Sequence, residues 1–195
     1  ISSEAGKDGF SIYLGEEMLE GGVNMGDDVP LAEPPYSGEP PANIMPIVGE
    51  NTHPNVINIG ASNDQDVRSL YSQWGPQLDL LAPSNGGINE IVTTDVSKEG
   101  LGYDPESSYC SDFGGTSSAC PLAAGSFALV MAANPDLSVA ELMDVFKQTA
   151  VKIGSLSYDA KGFNEQYGYG RINLAAAVKL AIEKRATAVS NWELH

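Results

Sequence analysis

Two cysteines, two histidines and ten basic residues in a chain of 195 leave several classes of protein with little to work with. Two Cys cannot build a disulfide framework or a four-Cys zinc site. Two His leave metal chemistry that leans on imidazole almost without ligands. The few Lys and Arg stand against 26 Asp and Glu, for a formal net charge of −16. Nucleic-acid binding needs clustered cations to displace phosphate counterions, and an anionic membrane surface asks for the same, so neither is an expected partner. No apolar run approaches the roughly 20 residues that span a bilayer; the longest, Gly125 to Ala133, is far shorter. Ile1-Ser2-Ser3 is not a translation start, and no basic stretch leading into an apolar one marks a secretory leader, so the chain reads as a fragment or a processed product. What is present is 42% hydrophobic residues, enough for the core of one domain or a large part of one. An acidic chain with few Lys and Cys fits an exported protein.

Residues 9–50 are rich in Gly and Pro and keep neither a helical nor a strand period, apart from one helical turn expected at Glu16 to Glu20. Some forty such residues read as a loop-rich insertion or surface lid. The pattern then tightens. Asn55 to Ala61, Leu78 to Ala82 and Glu90 to Thr94 are short β-branched or aliphatic runs, expected as strands, the last followed by a polar loop through Tyr109. Ser117 to Ala133 is small and apolar almost all round and predicts a helix buried on every side, with Pro121 in its first turn and Asn134-Pro135 at its end. Ser138-Val139-Ala140-Glu141 is a capping box that opens a helix from about Val139 to Thr149. Asn173 caps a third through about Lys184. Strands first, then alternation with helices, point to a layered α/β domain.

The segment Gly114-Gly115-Thr116-Ser117-Ser118-Ala119 places a Ser where a loop enters the apolar helix. Unpaired N–H groups and the positive end of the helix dipole favour negative charge beside such a Ser oxygen. Gly114 and Gly115 leave room for a substrate backbone, and Ala119 and Gly125 let the helix pack closely under the sheet. A nucleophilic Ser needs this setting together with backbone donors for an oxyanion. The commoner use of Ser or Thr at such a place is a plain helix cap.

The run Gly115-Thr116-Ser117-x-Ala119-x-Pro121-x-x-x-Gly125 resembles the nucleophile signature of the subtilases, the subtilisin-like serine peptidases. Three further segments agree in order. Val56 to Ala61 is similar to the family's strand ending in V-G-A. Tyr71-Ser72-x-x-Gly75-Pro76-x-Leu78-Asp79-Leu80-Leu81-Ala82-Pro83 is similar to its S-x-x-G-x-x-(V/L)-D-(V/L)-x-A-P stretch. Tyr167 to Asn173 followed by Ala175-Ala176-Ala177-Val178 is similar to its C-terminal G-x-G-x-(V/I)-N-x-x-x-A-V. Ile91-Val92-Thr93-Thr94-Asp95 and Pro121 to Gly125 lean toward the kexin-like branch. The resemblance implies a subtilisin-like three-layer α/β domain with a mostly parallel sheet and a buried central helix, its N-terminal part missing, so that 1–195 form the C-terminal part of a catalytic domain. It implies Ser117 as nucleophile of peptide-bond hydrolysis on a peptide or protein substrate, in a secreted protein.

The sequence also departs from that pattern. No H-G-T-x-(V/I)-A-G stretch occurs; His53 lies in Asn51-Thr52-His53-Pro54, a context that does not match, and His195 is the last residue. The Asp and His of a triad are therefore expected on a missing upstream segment or a partner chain, and this chain alone is expected to be nearly inert, because loss of the His alone costs roughly 10⁶-fold in subtilisin turnover. Ser3 to Gly9 is similar to the family's A-A-G-N-x-G, with Lys7 where an oxyanion-donating Asn is expected; Lys7, Gly115 and Thr116 are the candidate oxyanion region. That substitution leaves open a second reading, a non-catalytic peptide-binding or scaffold domain. Asn63-Asp64-Gln65-Asp66 and Gly26-Asp27-Asp28 are oxygen-rich turns; no cofactor is required, but structural calcium is compatible with the family. Cys110 and Cys120 flank the Ser; Cys120, three positions after it on the apolar helix, reads first as an inert core thiol, while a disulfide between the two would clamp the Ser loop. The acidic positions expected for dibasic specificity do not line up, since Gln73 follows Ser72.

Overall fold

The computed structural model describes residues 11–13, 56–96, 101–104 and 106–192. The expected turn at Glu16 to Glu20 and the 9–50 insertion fall almost wholly outside them. Three parallel strands, β1 (Ser11–Tyr13), β2 (Val56–Ser62) and β3 (Leu80–Pro83), lie side by side in that order, with Ser11 opposite Val56 and Ile59 opposite Leu80. A separate antiparallel ribbon joins β4 (Ile91–Thr94) to β5 (Tyr109–Phe113), with a bulge between Ile91 and Thr93. The sequence pattern leaves β5 as loop, because Tyr109-Cys110-Ser111-Asp112-Phe113 is half polar and only Cys110 is fully buried. Three helices follow: α1 (Thr116–Ala133), α2 (Val139–Thr149) and α3 (Leu174–Trp192). This is the expected α/β architecture.

Leu80, Leu81 and Ala82 make β3 apolar on both faces, whereas β2 is apolar on the face of Ile57, Ile59 and Ala61 and carries Asn58, Gly60 and Ser62, all buried, on the other. On one face Ile57, Ile59, Ala61, Leu80 and Ala82 pack against Ala119, Ala123, Phe127 and Val130 of α1, with α2 and α3 behind. Phe127 and Phe146 meet edge to face at 4.5 Å and join α1 to α2. On the other face Leu78 and Leu81 pack against Ile153 and Tyr167, so that among the described residues the 151–171 segment, rather than a helix, closes this side.

The helix ends follow their chemistry. Glu141 accepts from the Ser138 N–H at 2.9 Å while the Ser138 hydroxyl accepts from the Glu141 N–H, the reciprocal box expected from the sequence. Asn134 ends α1 and donates its side-chain amide to the Ala181 carbonyl at 3.1 Å, tying α1 to α3. Asn173 accepts from the Ala176 N–H, and α3 runs on past Lys184 to Trp192.

Among the described residues, the expected burial of α1 is seen on one side. α1 is buried along a single stripe, Ala119, Cys120, Ala123, Phe127 and Val130, while Pro121, Leu122, Gly125, Ala128, Leu129 and Ala132 are exposed. Gly125 lies off the stripe that packs under the sheet: a Cβ built there meets nothing within 4 Å among the described residues. The sequence is apolar around the whole helix, and the described residues cover only one side of it. α1 is long and apolar enough to cross a membrane by length and composition, yet its stripe against β2 and β3 makes it the core helix of this domain.

Asp79 joins three segments. Its N–H donates to the Asn58 carbonyl, its carboxylate accepts from the Asn58 N–H at 3.0 Å, and its carbonyl accepts from the Tyr169 N–H at 2.7 Å. Gly168, at φ 57°, passes so close that a Cβ would lie 2.4 Å from that carbonyl, which accounts for a glycine there. Burial pushes the Asp79 carboxyl above its ordinary range, against the pull of the Asn58 N–H and of Lys147. A carboxyl raised on folding favours the fold while it is protonated and loses that contribution as pH rises through its folded pKa. Asp79→Asn, which keeps an acceptor for Asn58, should therefore melt at or above the wild type at pH 7, with the gap closing below about pH 4; thermal melts across pH 3–8 read this directly.

Candidate active site

The carboxyl ends of β2 and β3 come together where the Ser84 N–H donates to the Ser62 carbonyl at 2.7 Å. α1 begins beside this point, since the Ser84 hydroxyl donates to the Gly115 carbonyl at 2.8 Å. Ligands in open α/β sheets gather outside the carboxyl ends of the strands, and this is where Ser117 stands. Gly115 precedes the helix at φ 79° and ψ 170°, a backbone that an L side chain rarely adopts. Among the described residues no side chain caps α1 and its first turn carries no acidic residue, so although the Ser118 N–H is spent on the Gly115 carbonyl at 3.1 Å, the positive end of the helix dipole stays available to a negative charge.

Thr116 and Ser118 are buried and Ser117, between them, is half-buried. Ser118 turns inward: its hydroxyl donates to the Gly115 carbonyl at 2.9 Å and lies 2.7 Å from the Ser84 hydroxyl. No described residue hydrogen-bonds the Ser117 hydroxyl. Of the candidate residues, Gly115, Thr116 and Ser117 are thus consecutive at the head of α1. Lys7, His53 and His195 lie outside the described residues. Gly114 meets Asn85 rather than open space: a Cβ on it would sit 1.9 Å from the Asn85 side chain.

The oxygen-rich turn at 63–66 is occupied by the chain itself. Asn63 accepts from the Gln65 and Val67 N–H groups, Asp64 from the Asn89 and Ile88 N–H groups and the Asn89 amide, and Asp66 pairs with Arg171 at 3.0 Å. Those donors, Asn89 first, hold the Asp64 carboxyl below its usual range. A carboxylate ringed by N–H groups is set up for donors rather than a cation, so these residues do not fit calcium. Among the described residues no group of three His, Cys, Asp or Glu side chains converges. Asp95 plays the same part behind β4, accepting from the Val96, Tyr103 and Asp104 N–H groups. Gly26-Asp27-Asp28 lies outside the described residues.

The sequence reading missed Tyr71, Ser84 and Asn85, which surround Gly115. The only signal was the turn-forming Pro83-Ser84-Asn85-Gly86 directly after a strand.

Comparison with known proteins gives the same outline. The Subtilase family profile matches residues 26–170. A calcium-dependent protease of Nostoc sp. is 38% identical over 156 residues, covering 73% of this chain and 23% of its own length. A dibasic-processing endoprotease of Yarrowia lipolytica is 32% identical over 134 residues, covering 64% of this chain and 13% of its own. The crystal structure of a serine protease of Aeromonas sobria superposes with a TM-score of 0.57 at 28% identity, over 65% of this chain and 29% of the other. The chain spans only about a quarter of the Nostoc relative's length.

Cys110 and Cys120 both carry thiols, so no disulfide clamps the Ser loop. Burial pushes the Cys120 thiol up to about 11, and a hydrogen bond to Asp112 pushes the Cys110 thiol up as well. The thiolate is the reactive form. Iodoacetamide at pH 8 should therefore leave Cys120 unmodified in the folded chain and alkylate it fully after denaturation; rapid alkylation of the native chain, read by peptide mass, would contradict the buried placement.

Proposed function

The chain belongs to the subtilase family, and we propose that it is the C-terminal part of a subtilisin-like serine endopeptidase catalytic domain, with Ser117 as its nucleophile. The observation that carries the reading is the half-buried, unengaged Ser117 at an uncapped helix start, beside the carboxyl ends of parallel strands. In this reading the Ser117 oxygen attacks the scissile carbonyl carbon and its proton passes to a His imidazole. The C–N bond then breaks as that proton moves to the departing amine, and water releases the acyl group. The leading N–H groups of α1 face the developing oxyanion, with Gly115 and Thr116 shaping its seat and Lys7 at the position of the expected Asn donor.

The Asp and His belong, in this reading, to the upstream remainder of the domain or to a partner chain. Support comes from the exposed apolar face of α1, from Pro121 through Leu129 to Ala132, which asks for a partner that the described residues do not supply. The substrates are peptides or proteins, and the place of action is extracellular. Placement in the kexin-like branch rests on Ile91 to Asp95 and Pro121 to Gly125. Calcium, suggested by the name of the Nostoc relative, is held by ligands other than residues 63–66. A second reading, a non-catalytic peptide-binding domain, is favoured by Lys7 in place of Asn.

Intact mass after treatment with a fluorophosphonate, beside Ser117→Ala, separates the two. The endopeptidase reading expects an adduct on Ser117 once the Asp- and His-bearing remainder is present and little on the chain alone; no adduct in either state would favour the binding domain. Leu129→Glu tests the docking face. Leu129 is 55% exposed, so the variant should fold with stability within about 0.5 kcal/mol of the parent. It should nevertheless reduce adduct formation with the remainder at least tenfold; labelling at the parental rate would show that the remainder docks elsewhere.

A further inference from the structure

We propose that Tyr71 and Asn85 are positioning residues that hold the turn in front of Ser117, an inference that rests on Ser117 being the nucleophile. The Asn85 side-chain oxygen accepts from the Gly115 N–H at 3.1 Å and from the Tyr71 hydroxyl at 2.6 Å. Tyr71 also lies 2.8 Å from the Ser84 hydroxyl, which donates to the Gly115 carbonyl at 2.8 Å. One side-chain pair thus reaches both polar groups of Gly115, two residues before the nucleophile.

Three hydroxyl protons serve this cluster: Tyr71 gives its own to Asn85 or Ser84, Ser84 gives its own to the Gly115 carbonyl, and Ser118 gives its own to the Gly115 carbonyl or Ser84. Asn85 must present its oxygen rather than its amide nitrogen, because the Gly115 N–H can only donate. The arrangement is anchored behind as well, since Ser69 donates to the Asn85 carbonyl at 2.6 Å and the Asn63 amide to the Gly86 carbonyl at 3.0 Å. Gly114 carries the mark of the same contact: any side chain on it would displace Asn85.

A glycine at φ 79° without a side-chain cap has no local device to keep its conformation, so the turn takes its geometry from across the loop. Displacement of a nucleophile by about 1 Å can cost on the order of 100-fold in rate. Tyr71 and Asn85 therefore act on Ser117 through the Gly115 peptide without touching substrate.

Two measurements on Tyr71→Phe, Asn85→Leu and Asn85→Asp decide the matter. The first is hydrogen exchange of the 114–118 amides in the chain itself. The second is fluorophosphonate inactivation of the chain with its remainder, resolved into the maximal rate and the half-saturating concentration. Tyr71→Phe and Asn85→Leu should speed local exchange about tenfold, with α2 exchange unchanged, which is roughly one lost hydrogen bond. They should lower the maximal inactivation rate about 10- to 100-fold at unchanged half-saturation. Asn85→Asp, which keeps the two-fold acceptor, should recover most of both. Unchanged exchange in Tyr71→Phe and Asn85→Leu overturns the proposal, and so does faster exchange with a parental inactivation rate. If the parent itself takes no adduct while exchange rises in both variants, the nucleophile reading fails and the clamp on the turn stands.

Discussion

Everything described here depends on how closely α1 can approach the parallel strands. Ala119 and Ala123 carry the contact with no exposed surface, opposite Ala61, Leu80 and Ala82, which are equally closed. Small side chains on both sides bring the helix axis near the sheet, and Phe127 and Val130 fill the wider space farther along. The head of the helix is thereby fixed against the ends of β2 and β3. Ser117 owes its position to Ala119 and Ala123, two and six residues further along the helix.

The same helix is two different surfaces. Its stripe toward the sheet is packed like a domain interior, and its opposite stripe, with Leu129 55% and Leu122 37% exposed, is apolar with nothing described against it. An amphipathic helix at a finished surface would place charge there; this one has no charged residue from Thr116 to Ala133. A helix that is apolar all round is made to be enclosed. Gly125, open on every side among the described residues, then reads as a place kept small for something that arrives from outside them.

Much of the fold was legible in the sequence because the signals were local. The Ser138–Glu141 box, the Asn173 cap and the β-branched run at Val56 each carry their structure in neighbouring residues. β5 was not legible, since its pairing with β4 is set by a partner strand rather than by its own half-polar pattern. The Ser loop was found by its spacing, but one of its reasons was misread, since Gly114 is small because Asn85 crosses it. The acidic turn at 63–66 is engaged by backbone donors that lie more than 20 residues away. Contacts across some 30 residues, such as Asn85 to Gly115, leave no periodic trace.

The division between what holds and what reacts follows from this. Residues that fix the turn, Tyr71, Ser84, Asn85 and Ser118, spend their polar groups on one another and on Gly115. Ser117 lies in the middle of that network with its hydroxyl outside it. Hydroxyls withdrawn from water, as those of Ser84 and Ser118 are, need partners, whereas a nucleophile is useful only when its oxygen is left for a base and a substrate. Satisfying the four neighbours and leaving Ser117 out of their bonds meets both requirements in five residues.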